Sequence, residues 1–239
     1  MDTYNITTVK TVLSNILQAN ITTEAWSWFN AQSDADDTLA FNKAFVMMPR
    51  KTGKAVLEVG ETQQQALANL RPGFTLNNWT ADKLGRVLLL IQHSKIEKDT
   101  YFKDIENLFS AAEMNEQAAL YAALPLLPYP SLWIKRCAEG IRSNMGIVLE
   151  AIMYHNPYPA ENLDEPAWNQ MILKAFFTEK QMDKIYGLDH RANSELARIL
   201  IDYAKERHAA GRGVDPMLWH LVGKFIDNQT LHDMKQGRF

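Results

Sequence analysis

The heptapeptide Met171-Ile-Leu-Lys-Ala-Phe-Phe177 carries a broad apolar stripe, with Met171, Ala175 and Phe176 at helical spacing. Apolar side chains three and four positions apart share one face of an α-helix. A second stripe with this spacing consists of Ile105, Leu108, Phe109 and Ala112. No run rich in Val, Ile and Thr alternates with polar residues between hairpin-turn signals. The chain is therefore predicted to be all-α, with roughly nine to eleven helices of about 10 to 22 residues.

Capping residues and prolines predict where these helices begin and end. Ser131 follows a proline and predicts the start of a long helix that continues to about Tyr154. Thr178 and Gln181 have the spacing of a capping box. Gly187 is placed to close the helix that such a box would start.

Further boundaries are predicted on both sides of this region. Asn193 predicts the start of a helix that reaches Gly211, and Asp215-Pro216 predicts the N-cap and first residue of a shorter helix. Helix starts are also predicted upstream, at Thr80 and at Ser33 or Asp34.

Short connections between successive helices favour antiparallel neighbours. We therefore expect one domain over residues 1–239, built as a bundle or as a short stack of helical hairpins of the α-solenoid or HEAT type. No clean sequence period supports a repeat, and no low-complexity linker or charge run divides the chain. The most distinctive motifs fall within residues 116–225.

Composition excludes several functional classes. The chain has 25 Lys and Arg against 28 Asp and Glu, with no long basic block, which argues against binding of nucleic acid. A single cysteine, Cys137, permits no internal disulfide and is typical of a reducing compartment. The first thirty residues lack a continuous apolar stretch, and no run of 18 apolar residues exists. We expect a cytoplasmic protein with no transmembrane segment.

Arg136, Glu139 and Arg142 lie three residues apart in the predicted long helix and share one helical side. Two arginines that flank a carboxylate can bind a phosphate or carboxylate, with Asn144 one position further round. The alternative is an ordinary surface ion pair, which adds little stability. Gly140 in the same helix indicates close approach by another backbone or a ligand.

A second polar cluster, Gly187-Leu-Asp-His-Arg-Ala-Asn193, is predicted at a helix start. Backbone N–H groups beside Arg191 can receive an anion there. The alternative assigns Asp189 and Asn193 to capping and Arg191 to a salt bridge with Asp202 or Glu206. Asn156 and Asn169 lie near aromatic residues and could add amide donors and acceptors to a pocket.

Known catalytic and metal-binding templates do not match. Cys137 is expected to be a buried thiol, and Ser143 lacks a nucleophile elbow. Neither His-x3-His nor HExxH spacing occurs, so no metal site and no cofactor is predicted. The six histidines are His93, His155, His190, His208, His220 and His232.

Several of these segments, in this order, resemble the EboA family, proteins encoded in the ebo gene clusters of bacteria and described as metabolite traffic proteins. The resemblance is carried by residues 119–130, 138–144, 156–159, 167–171, 187–193, 202–207, 210–212, 218–219 and 222–225. Weaker islands precede them at residues 44–54 and 79–90. His190 and His208 depart from the pattern, so neither is treated as a family catalytic group.

This resemblance implies a helical cytoplasmic protein that takes part in secondary-metabolite biosynthesis or traffic, together with other proteins of an ebo cluster. It implies binding of a polar or prenylated intermediate, but no defined reaction. The residues expected to bind this intermediate are Arg142, Asn144, Asn156, Asn169, Asp189, Arg191 and Asn193. One alternative is an enzyme that uses Asp189 or His155 as acid or base. Another is a scaffold for other ebo-cluster proteins.

Overall fold

The computed structural model describes residues 5–32 and 37–239 and confirms the all-α prediction. These residues form fourteen α-helices and three short 3₁₀ helices, more and shorter elements than the sequence predicts. The only β-type pairing in this part of the chain is one isolated antiparallel bridge between Val56 and Thr80. The chain divides into two compact units, unit 1 (Met1–Tyr158) and unit 2 (Pro159–Phe239).

The first nine α-helices belong to unit 1: α1 Ile6–Asn20, α2 Thr23–Gln32, α3 Thr38–Thr52, α4 Glu61–Leu70, α5 Ala81–His93, α6 Lys98–Ala111, α7 Met114–Ala123, α8 Ile134–Arg142 and α9 Gly146–Met153. A short helix, α10 (Tyr158–Asn162), contains the boundary, and unit 2 continues with α11 Glu165–Phe177, α12 Ser194–Ala209, α13 Pro216–Val222 and α14 Asn228–Lys235. The 3₁₀ helices are Leu124–Leu126, Pro130–Trp133 and Met182–Lys184.

Helix α5 is the core of unit 1 and packs against α1, α3 and α7. Every residue of α5 except Lys83 is buried, including Arg86 and Asp82. The Arg86 guanidinium donates to the Asp82 carboxylate at 3.1 Å, the Glu116 carboxylate at 3.4 Å and the Phe45 carbonyl at 3.0 Å. Burial lowers the pKa of Arg86, and the two carboxylates oppose this effect. One side of α5 is thus held by a buried network of charged side chains and not by aliphatic contacts alone.

The predicted long helix from Ser131 to Tyr154 is wrong. Ser131 lies inside the 3₁₀ helix that starts at Pro130, and α8 then ends at Arg142. Residues 143–145 are not helical, and Gly146 begins a second helix, α9, instead of lying within the first. Arg142 is therefore the last residue of one helix, and Asn144 lies in the connection between two.

The predicted capping box at Thr178 is also wrong. The Thr178 hydroxyl donates to the Lys174 carbonyl at 2.7 Å, so Thr178 ends α11 and starts no new helix. Gly187 does adopt the predicted left-handed conformation, with φ of 86°, but it follows a 3₁₀ turn. A Cβ there would lie 2.7 Å from the Ala160 Cβ, so close packing also requires this glycine.

Other predicted boundaries are confirmed. The Asn193 side chain accepts a hydrogen bond from the Leu196 N–H at 2.8 Å and caps α12, which ends two residues before Gly211. The Asp215 side chain caps α13, and Pro216 is its first residue. Thr80 directly precedes α5. The starts predicted at Ser33 or Asp34 lie outside the described residues.

Candidate functional site

Unit 1 contains a cavity of about 650 Å³ between the segment that follows α3, helix α4 and the loop that leads into α5. Its volume lies within the range of about 300–1,000 Å³ that is usual for small-molecule sites. Its lining residues are Val56, Leu57, Val59, Glu61, Gln64, Gln65, Leu67, Ala68, Thr75, Leu76, Asn77 and Asn78.

Backbone hydrogen bonds fix the first wall of the cavity. The Leu57 N–H donates to the Trp79 carbonyl, and the Ala81 N–H donates to the Ala55 carbonyl, both at 2.9 Å. Further along, the Asn20 side chain accepts from the Glu58 N–H at 2.7 Å and donates to the Glu58 carbonyl at 3.0 Å. The segment of residues 55–58 is extended but belongs to no sheet, and these hydrogen bonds pair its backbone groups. They fix its position as one wall of the cavity.

Helix α4 supplies the second wall and two glutamines. Gln64 Nε2 donates to the Val59 carbonyl at 3.1 Å, and Gln65 Nε2 donates to Asn69 Oδ1 at 3.0 Å. These bonds orient both amides but leave each Oε1 atom without a donor among the described residues. Because an amide oxygen can accept two hydrogen bonds, both glutamines keep acceptor capacity for a ligand.

The third wall is the loop of residues 75–78, which supplies two asparagines. Asn78 has φ of 58°, in the left-handed region that Asn tolerates better than most residues. The Trp79 N–H donates to the Leu76 carbonyl at 3.0 Å and closes this turn. The exposed side-chain amides of Asn77 and Asn78 form no hydrogen bond with the described residues. Both amides are thus available as donors and acceptors.

The lining predicts the chemistry of the ligand. Leu57, Leu67 and Leu76 are buried and form an apolar floor, whereas the amides lie towards the rim. Glu61 is the one charged residue in this lining, and no Lys, Arg or His contributes to it. Sites that bind phosphate usually contain Arg or Lys side chains. The cavity therefore suits an uncharged or cationic molecule with hydroxyl groups and a small apolar part.

The predicted binding residues of unit 1 have separate surroundings. Arg142 is exposed and forms no ion pair with the residues that the structure describes, and Asn144 is also exposed. Asn156 is buried, donates to the carbonyls of Tyr121 and Ala151, and accepts from the Tyr158 N–H. Hydrogen bonds within the protein thus occupy the Asn156 amide on both its oxygen and its nitrogen.

The arginines predicted to flank Glu139 do not act as a pair. Arg136 forms a bidentate pair with Glu106, with both distances 2.8 Å, and a third bond with Glu139 at 3.1 Å. The ion pair between Arg136 and Glu139 that the spacing allows is confirmed. Because three carboxylate bonds occupy this guanidinium, it does not offer an open fork to an anion.

Three of the predicted residues of unit 2 hold that unit together. The amides of Asn169 and Asn193 exchange two hydrogen bonds, at 3.1 and 2.9 Å. Arg191 donates to the Ala160 carbonyl at 2.6 Å and the Leu163 carbonyl at 2.9 Å, and its guanidinium lies 5.1 Å from the centre of the Trp168 ring. The salt bridge predicted from Arg191 to Asp202 or Glu206 is not formed, because backbone carbonyls take its donors.

Asp189 belongs to an exposed ion cluster. Its carboxylate accepts from His220 Nε2 at 2.8 Å and from the Lys224 ammonium group. These two hydrogen bonds lower the pKa of Asp189 to about 2, the Lys224 bond contributing more. Asp189 is therefore an ionised carboxylate at any physiological pH.

Two further observations concern the reactive side chains. Burial raises the pKa of the Cys137 thiol to about 12, so this cysteine is an inert core residue as predicted. Within residues 5–32 and 37–239, no group of three or more His, Cys, Asp or Glu side chains is placed to hold a metal ion.

The sequence prediction missed the cavity, because none of the predicted binding residues lies among its lining residues. The signals available there were three consecutive glutamines, Gln63 to Gln65, and the Asn77-Asn78 pair directly before a tryptophan. Amides carry no charge and match no catalytic motif, so only their convergence in the fold reveals them.

Comparisons with known proteins identify the family. The family model for "Metabolite traffic protein EboA" matches residues 9–223 of the 239, about nine tenths of the chain. Comparison with curated proteins and with solved structures finds no match. None of the described helices combines the length and the apolar character needed to cross a bilayer. The chain belongs to the EboA family of metabolite traffic proteins.

Proposed function

We propose that this protein binds a small hydroxyl-bearing metabolite in the cavity of unit 1 and holds it for transfer. The observation that carries the proposal is the cavity itself, where four side-chain amides with remaining hydrogen-bonding capacity line an apolar floor. A side-chain amide can donate a hydrogen bond to a hydroxyl group and can also accept one from it. Such a pair of bonds gives specificity without charge. The family description, metabolite traffic, fits a protein that binds such a molecule.

The lining also limits the class of metabolite. The floor of Leu57, Leu67 and Leu76 can take a short hydrocarbon arm, so both a polar and a prenylated intermediate are compatible with it. A phosphorylated intermediate is disfavoured because the lining has Glu61 and no cation. Release to another protein of an ebo cluster, in the cytoplasm, is the transfer that we propose.

A carrier is preferred to an enzyme on the basis of the available acid–base groups. A carboxylate with a pKa of about 2, such as Asp189, is a weak base at neutral pH. The cavity lining contains Glu61 but no His, Cys, Lys or Tyr that could act with it. Acid–base catalysis in this cavity would depend on Glu61 alone, whereas binding requires no proton transfer.

Native mass spectrometry of the protein purified from its own host tests this proposal. We expect one small molecule per chain, lost on denaturation and lost in a Gln65→Leu, Asn77→Ala double variant. The variant Arg142→Ala is the control, because Arg142 lies outside the cavity lining, and it should retain the ligand. Ligand loss from Arg142→Ala with retention in the double variant would instead support the residues predicted from sequence. Conversion of the ligand by trace protein would support an enzyme.

A further inference from the structure

Helix α3 presents an exposed face on which aliphatic and basic residues alternate. Leu39, Lys43, Val46 and Arg50 are all exposed and follow one another at intervals of four, three and four residues. This spacing places them on one side of a helix over about three turns. Leu39 is 74% exposed and Val46 is 56% exposed, among the highest values for large apolar residues of the described chain.

The opposite face of α3 is anchored in unit 1. Phe41, Ala44, Phe45 and Met48 are buried, and α3 packs against α2 and α5. The exposed face is therefore held rigidly and cannot turn its aliphatic residues inwards. Exposed leucine and valine lose contact with water only if another surface covers them.

Helix α3 and the segment that follows it contain cations and no acidic residue. Residues 38–57 contain four cations, Lys43, Arg50, Lys51 and Lys54, and no Asp or Glu, although the whole chain has a net charge of −3. None of the four forms an ion pair with the described residues. Acidic residues flank this range, with Asp34, Asp36 and Asp37 before it and Glu58 after it. The Asp37 carboxylate accepts hydrogen bonds from the N–H groups of Leu39 and Ala40. The exposed face itself thus has two cations, Lys43 and Arg50, and no carboxylate.

We propose that this face of α3 docks unit 1 on an anionic lipid surface. Leu39 and Val46 enter the boundary between headgroups and acyl chains, while the long stems of Lys43 and Arg50 bring their charges to the lipid phosphates. Lipid is a better match than nucleic acid, because exposed aliphatic residues between the cations add nothing to phosphate binding. Two apolar residues give shallow contact, so anionic lipid is required for binding.

Co-sedimentation with lipid vesicles tests this docking surface. We expect the full chain to sediment with phosphatidylcholine vesicles that contain phosphatidylglycerol but not with phosphatidylcholine alone. Lys43→Glu with Arg50→Glu should reduce the bound fraction at least about tenfold, since each cation near a charged surface contributes to binding. Leu39→Ser with Val46→Ser should also reduce the bound fraction, because these two side chains enter the lipid. Unchanged sedimentation of this variant would indicate attraction by charge alone and would contradict insertion.

The matched control removes the same charge elsewhere in unit 1. Lys103 and Lys135 are exposed, and Lys103→Glu with Lys135→Glu should leave sedimentation unchanged. Equal loss in both double charge variants would show only a response to net charge and would overturn the proposal, as would equal binding to both vesicle types. The result is independent of the cavity, because no residue of this face lines it.

Discussion

At the residue scale, Asn78 has two roles that substitution can separate. Its backbone has φ of 58°, and its amide lines the cavity. Asn78→Gly removes the amide but keeps a residue that adopts this conformation freely, so stability should be unchanged or slightly higher. Asn78→Ala should lower the free energy of unfolding by about 1 kcal/mol, because a Cβ disfavours the left-handed region.

Denaturant unfolding measures the stability difference, and native mass spectrometry measures ligand retention in the same two variants. Both variants should lose ligand to a similar degree, since both lack the amide. Retention in Asn78→Gly together with loss in Asn78→Ala would mean that loop geometry, not the amide, matters for binding.

Arg86 neutralises two carboxylates in the core of unit 1. Arg86→Met would leave the buried carboxylates of Asp82 and Glu116 without their cation. Breaking a buried pair in this way costs about 3–5 kcal/mol. We expect a loss of this order in the free energy of unfolding, measured by urea titration.

Arg198→Met is the surface control for this prediction. Arg198 also contacts two carboxylates, Glu195 and Asp202, but its side chain is 61% exposed. Exposed pairs contribute about 0–1 kcal/mol, so this variant should be almost as stable as the wild type. A similar decrease in the free energy of unfolding for both variants would show that burial does not make the Arg86 ion pairs more important for stability than exposed ones.

At the element scale, Gly140 allows α8 to approach its neighbours. A Cβ at this position would lie 2.5 Å from the Ile152 Cδ1 atom and 2.6 Å from the Tyr121 ring. The close approach predicted for this glycine is thus made by side chains of α7 and α9. Gly140→Ala should destabilise the protein by about 1–3 kcal/mol through overpacking.

Thermal unfolding checks this prediction against Gly213→Ala. A Cβ at Gly213 meets no atom within 4 Å, so that variant should melt close to the wild type. An unchanged melting temperature for Gly140→Ala would contradict tight packing between α8 and its neighbours.

Helix boundaries show where local sequence is sufficient and where it is not. Asn193 and Asp215 cap their helices as predicted, because each cap depends only on the next two or three residues. Ser131 starts no α-helix because it lies inside a 3₁₀ helix, and Thr178 starts none because its hydroxyl donates back to the Lys174 carbonyl. The packing of the whole segment determines which of the alternative conformations such a residue adopts.

The candidate site could not be predicted from sequence for a different reason. The Val56–Thr80 bridge joins positions more than twenty residues apart, and the four amides of the cavity lie in the loop that it closes. By contrast, the polar residues that stood out in the sequence, Asn156, Asn169 and Arg191, serve to pair backbone and side-chain groups inside the protein. Internal hydrogen bonds thus account for these three side chains, and a role for them in binding stays a prediction.

At the scale of the whole molecule, the match to the EboA family spans residues 9–223 and so includes parts of both units. The cavity and the exposed face of α3 both belong to unit 1. We therefore expect ligand binding to respond to changes in unit 1 and to tolerate removal of the exposed Asp189 ion cluster of unit 2. The stack of helical hairpins over a single domain remains a prediction.

Filling the cavity is the most direct test of this account. Ala68 is an exposed residue of α4 that lines the cavity, so Ala68→Trp should occupy the ligand volume without disturbing the core. Asn107→Trp, at an exposed position of α6, is the matched control. Native mass spectrometry should find one bound small molecule per chain in the wild type and in Asn107→Trp, and none in Ala68→Trp. Undiminished ligand in Ala68→Trp, or no ligand in any of the three proteins, would contradict the assignment of this cavity as the metabolite site.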